Sequence, residues 1–115
     1  MGNLAARKAL LDEFGAFSSR ELIASGMRSA VGVFSVPYGE RELYPRFQFG
    51  SDGQPLPAMA EVLALLEAVR TPWEIALWFS SANGWLGGDR PVDLLQTAPE
   101  RVVEAAKHEA EQRVF

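Results

Sequence analysis

The sequence predicts a mainly α-helical fold, about five or six helices in all, with one β-hairpin near residues 31–49. Apolar residues recur at three- and four-residue spacing through Met59, Val62, Leu63, Leu66 and Val69, which marks one buried face of a helix. Two helix-start signals punctuate the chain: a capping box from Ser18 to Glu21, and the pair Thr71-Pro72. Between them the period changes. Val31, Val33, Phe34 and Val36 run close to alternation, and Pro37-Tyr38-Gly39-Glu40 then supplies a turn.

Taken in order, Leu4 to Phe14 reads as a helix with Leu4, Leu11 and Phe14 near one stripe, ended by Gly15. Ser18 starts a short second helix, in which the Ser hydroxyl and the Glu21 carboxylate satisfy first-turn donors reciprocally, and Gly26 stops it. The hairpin follows, its second strand rich in Leu43, Tyr44, Phe47 and Phe49, with Pro45 expected to limit that strand to an edge or irregular role. Gly50 to Pro55 is a loop, and it divides the chain into residues 1–50 and residues 51–115. Pro57 to Arg70 forms the clearest helix. Thr71 caps the next, which is apolar most of the way round and so central, with Trp73 and Trp78 in its core. A short helix spans Pro91 to Gln96, and Pro99 opens the last one, with Val102, Val103 and Ala106 facing inward.

Composition narrows the function. At 115 residues with 48 % apolar and 23 % charged residues, the chain has the make-up of a soluble globular protein. No apolar run approaches the roughly 20 residues of a membrane span, and Met1-Gly2-Asn3-Leu4 does not open like a signal peptide, so a cytoplasmic location is expected. The absence of cysteine removes disulfides, thiolate nucleophiles and cysteine zinc sites. Residues 1–50 carry six Lys/Arg and five Asp/Glu, whereas residues 51–115 carry five and ten. The second segment therefore repels polyanions, and any nucleic-acid contact falls to the first.

The run Asn83 to Leu95 packs a helix ending, a glycine turn and a helix beginning into thirteen residues. Gly87 and Gly88 allow positive φ and close approach, Asp89 is placed to cap a new helix, and Pro91 fits its first turn. Such a turn fixes two helices at one angle, which suits a binding surface. Trp85 sits inside it, where covering apolar surface is hard, and Trp is favoured at interface hot spots.

These residues also carry a family resemblance. Tyr44-Pro45-Arg46-Phe47-Gln48-Phe49, then Gly53-Gln54-Pro55-Leu56-Pro57, then Trp78, then Asn83, Leu86-Gly87-Gly88, Pro91 and Leu94-Leu95 together resemble the toxin-binding domain of Xre/MbcA/ParS-type antitoxins, over about residues 44–112. Gly84 stands where that pattern commonly has Pro. The resemblance implies a protein that binds a RES-domain toxin, an NAD-degrading enzyme, and occludes its active site. It implies a toxin-binding surface at Asn83, Trp85, Leu86, Gly87 and Gly88, joined by the tail Arg113, Val114 and Phe115.

The family often carries a helix-turn-helix ahead of this region, and here it is reduced. Ser18 to Ser25 stands for the supporting helix, and only Met27 to Ala30 remain for a recognition helix, with Arg28 the one base-reading candidate. Arg20, Arg41 and Arg46 are candidate phosphate contacts, beside Glu21, Glu40 and Glu42. A DNA-binding autoregulator and a standalone helical interaction or dimerisation module, including a homodimer, stand as alternatives to the toxin-binding reading.

No enzyme is indicated. His108 is the only histidine; Glu104 and Glu111 share its helical face, a spacing that is more often a solvated face than a metal site. Ser18-Ser19 and Ser80-Ser81 lack a base, and Gly84 to Gly88 has neither the spacing nor the Lys of a phosphate loop. No catalytic residue, cofactor or metal follows from the sequence.

Overall fold

Six α-helices and a small antiparallel sheet make up the structure, a computed structural model that describes residues 4–26 and 32–112. In chain order these are α1 (Leu4–Phe14), β1 (Ala16–Ser18), α2 (Ser19–Ala24), β2 (Val36–Tyr38), β3 (Arg41–Pro45), α3 (Met59–Leu66), α4 (Pro72–Ser80), α5 (Pro91–Leu94) and α6 (Pro99–Gln112). Single 3₁₀ turns occur at Arg46–Gln48 and Gly84–Leu86. The mainly helical reading with a hairpin holds.

The sheet departs from it in two ways. Its order is β1-β3-β2, so the expected hairpin, β2 with β3, is joined by a third strand at Ala16–Ser18. In consequence β3 is the central strand, not an edge. Pro45 is tolerated there because it is the last residue of the strand, opposite Ala16, and the following N–H, that of Arg46, donates to the Gly15 carbonyl at 3.0 Å. The ladder thus skips the residue that has no N–H to give. The proline that does sit at an edge is Pro37, in β2.

Helix boundaries follow the capping chemistry closely. Ser18 accepts from the Glu21 N–H while Glu21 accepts from the Ser18 N–H, and Thr71 and Glu74 repeat the arrangement at α4 with Pro72 in the first turn. Gly15 and Gly26, both at positive φ, end α1 and α2. The third helix is shorter than its periodicity suggested. The helix ends at Leu66 with Glu67 donating to the Leu63 carbonyl at 2.8 Å, and a turn follows in which Val69 and Arg70 both donate to the Leu66 carbonyl, at 3.0 and 2.8 Å; Thr71, the residue before Pro72, is then extended. In α1 the expected Leu11 and Phe14 are half-buried against the core. Leu10 is the buried residue of that helix, whereas Leu4 is 72 % exposed.

Both segments of the chain contribute to one core. Met59, Val62, Leu63 and Leu66 of α3, Trp73, Ile75, Ala76 and Phe79 of α4, and Val102 and Ala106 of α6 pack with Leu10, Phe34, Val36 and Leu43 from the first 50 residues. Phe79 is the join: its ring lies 5.1 Å from that of Phe47 and 6.3 Å from that of Phe34. The Trp73 indole N–H donates to the Pro37 carbonyl at 2.6 Å, which ties α4 to β2.

Among the described residues Gln48 is the one buried polar side chain. Its amide accepts from the Phe34 N–H at 2.9 Å and donates to the carbonyls of Phe34 at 2.9 Å and Pro45 at 3.0 Å. Residues 33–35, which alternate like a strand in the sequence, thereby receive a side-chain partner in place of a neighbouring strand.

Candidate functional site

The turn between α4 and α5 is closed by a set of hydrogen bonds centred on one residue. Asn83 organises it: its side-chain oxygen accepts from the Trp85 N–H at 2.8 Å, and its carbonyl accepts from Leu86 at 3.0 Å and Gly88 at 2.9 Å. Its own N–H donates to the Asp89 carbonyl at 3.0 Å, closing the loop from entry to exit. Gly87 and Gly88 adopt φ of 67° and 94°, as expected for a left-handed exit from a short helical turn. The close approach expected at these glycines does not occur, because a Cβ at either would meet nothing within 4 Å. Backbone conformation alone accounts for them.

Asp89 does not cap α5. That position belongs to Arg90, whose extended backbone precedes Pro91 and which makes no side-chain cap bond. Arg90 instead reaches forward to Asp93 at 2.9 and 3.2 Å and across to Glu13 of α1 at 3.0 Å, with its guanidinium 5.4 Å from the Phe14 ring centroid. The paired carboxylates hold Arg90 firmly cationic, and Arg90 in turn holds the Asp93 carboxyl below the usual carboxylate range. The exit of the turn is thus pinned to α1.

Its centre is pinned to α6. The Trp85 ring lies flat on the His108 imidazole, with centroids 3.6 Å apart and planes within 5°. Glu104 Oε2 and Glu111 Oε1 stand 4.0 and 3.7 Å from the two ring nitrogens of His108. Despite this stack Trp85 is 54 % exposed. Large apolar side chains with comparable exposure are rare here, Leu4 and Ile23 being the others recorded. Deeper in, Trp78 is half-buried against Phe79, and its indole nitrogen has no hydrogen-bond partner among the described residues. Arg70, at the end of the α3–α4 connection, donates to Glu109 through Nε and Nη2 and fixes the far end of α6.

Of the expected toxin-binding residues, the structure brings Asn83, Trp85, Gly87 and Gly88 together on one exposed or half-exposed turn. Leu86 is a correction. Its side chain is 1 % exposed, so it anchors the turn from within and offers nothing to a partner. Arg113, Val114 and Phe115 lie outside the described residues. Sequence reading missed His108 as the floor under Trp85, and Arg90 as the bridge to α1. Neither contact leaves a local signal, since the partners stand 23 and 77 residues apart.

The helix-turn-helix expectation fares differently. Arg28 and the rest of residues 27–31 lie outside the described residues, but α2 emerges from β1 and packs on the sheet. Arg46 lays its guanidinium 4.1 Å from the Phe17 ring centroid, and its stem runs over Gly15, so much of its role is local packing. The Glu21 carboxyl is held below the usual range, chiefly by the Ser18 N–H and also by the charges of Arg46 and Arg41. Two of the candidate phosphate contacts therefore share a neighbouring carboxylate, and Arg20 is exposed on α2. Among the described residues no group of three or more His, Asp or Glu is arranged to hold a metal ion, and no helix is long and apolar enough to cross a membrane. No family model, curated protein or solved structure matches this chain.

Proposed function

We propose that this chain is an antitoxin-like binding protein that docks a RES-type, NAD-degrading toxin through the Asn83–Gly88 turn and occludes the toxin's active site. The observation that carries the docking role is Trp85, an exposed indole held flat on His108 in a turn hydrogen-bonded at both ends. An aromatic already fixed in place loses little entropy when a partner covers it. The identity of the partner rests on the composite motif from Tyr44 to Leu95. The chain acts by occupancy and performs no chemistry.

Co-expression with an adjacent open reading frame encoding such a toxin, followed by pull-down and an assay of cellular NAD, tests this reading. The expected outcome is a stable complex and restored NAD. Trp85→Ala should then weaken the complex by about 2 kcal/mol or more, as at interface hot spots, while the lost stack on His108 costs the fold only about 0.5–1.5 kcal/mol. Removal of residues 112–115 should weaken neutralisation with the fold intact. Free toxin activity in the presence of the intact chain would overturn the proposal.

A further inference from the structure

Trp85 has one face on His108, and no second ring covers the other among the described residues. Beside it the turn and α6 enclose an open concavity of about 510 Å³, walled by Trp78, Asn83, Gly84, Trp85, Glu109 and Gln112. Among the described residues that wall carries one carboxylate, Glu109, which Arg70 engages, and no cation of its own. The side chains of Glu104 and Glu111, on either side of His108, remain 64 % and 75 % exposed. Arg70 is engaged by Glu109, and Arg90 by Asp93 and Glu13; among the described residues Lys107 beside His108 and Arg101 one turn before Glu104 are the exposed cations of α6. The surface is aromatic at its centre and anionic at its rim.

We propose that the open face of Trp85 receives an arginine side chain of the protein partner, with Glu104 and Glu111 as its counter-charges; the inference rests on the reading of this turn as a docking surface. An indole is the best aromatic acceptor for a cation. A planar guanidinium stacks on it and still turns its N–H groups outward to carboxylates, which a compact ammonium does less well. An apolar anchor would desolvate the same carboxylates without compensation, so the rim selects against it. His108 beneath the ring keeps the platform flat before the cation arrives.

The test follows the indole N–H signals of ¹⁵N-labelled full-length protein, with Trp85→Phe identifying that of Trp85. Nα-acetyl-arginine amide is added to one sample and its neutral isostere, Nα-acetyl-citrulline amide, to another. The arginine probe should move the Trp85 signal and leave those of Trp73 and Trp78 in place, with citrulline binding about threefold or more weakly, as an exposed cation–π contact implies. The double variant Glu104→Gln, Glu111→Gln should weaken the arginine response by about threefold. Equal responses to both probes, an unmoved Trp85 signal, or a double variant that titrates like the parent would overturn the proposal. Because no toxin is present, the two readings fail separately. A positive titration without a toxin complex removes the toxin alone. A toxin complex lost in Trp85→Ala, with a flat titration, removes the arginine alone.

Discussion

Gln48 and the turn glycines carry obligations that their neighbours do not. The Gln48 amide satisfies one N–H and two carbonyls in a site closed to solvent. Gln48→Leu keeps the volume and strands those groups, so the cost should reach about 3 kcal/mol or more, read as a lower midpoint of chemical denaturation. A loss below about 1 kcal/mol would mean that water or a relaxed backbone replaces the amide. The glycines divide by conformation. Gly87 needs positive φ, and Gly87→Ala should cost about 1–2 kcal/mol although nothing blocks the new methyl. Gly84 has no such need and opens a 3₁₀ turn after an extended Asn83. Gly84→Pro, the residue common in the resembling family, should therefore stabilise the protein by about 0.4–1 kcal/mol by restricting the unfolded chain. Thermal midpoints of the two variants should move in opposite directions.

At the scale of elements, what could be read from the sequence was whatever is enforced within a few residues. The capping box at Ser18, the cap at Thr71, the stops at Gly15 and Gly26 and the start at Pro72 all appear where the local chemistry places them. Elements whose partner lies far along the chain were not legible. Ala16–Ser18 becomes a strand only because β3, some 25 residues later, offers it a ladder, and Val33 to Ser35 loses its strand because Gln48 reaches it first. Likewise Trp85 was legible as an exposed anchor, but its support from His108 was not. The Ser18 box also sets an acid response. Glu21 titrates below its ordinary value of 4.5 in the folded chain, mainly because its carboxylate accepts from the Ser18 N–H. A lowered native value favours folding above the ordinary value, and that contribution disappears as the pH falls through the native one. Glu21→Gln should therefore flatten the decline of stability on acidification below about pH 4.5, with the largest difference from the parent near neutrality. Parallel acid limbs in denaturation midpoints measured from pH 7 to pH 3 would remove the box from the acid response.

For the molecule as a whole, the division at Gly50 to Pro55 is a change of secondary structure and not a break in the core. Phe79 meets Phe34 and Phe47 from before the loop, and Trp73 donates to Pro37 across it. Arg90 binds Glu13 in the same sense. Residues 51–115 on their own would leave these faces of α4 bare, and a chain of that size has little apolar area to lose. The expected behaviour is one cooperative unfolding transition for the full chain and none for the isolated segment 51–115, followed by circular dichroism on heating. Phe79→Ala should lower the stability of the full chain by about 3–5 kcal/mol without splitting that transition, since the cavity it leaves adjoins both segments. A sigmoidal melt in the isolated segment, or two resolved steps in the variant, would mean that the Asn83–Gly88 turn is carried by an autonomous helical unit. A single step in the variant, with no transition in the isolated segment, would instead make the N-terminal sheet part of what keeps Trp85 in position.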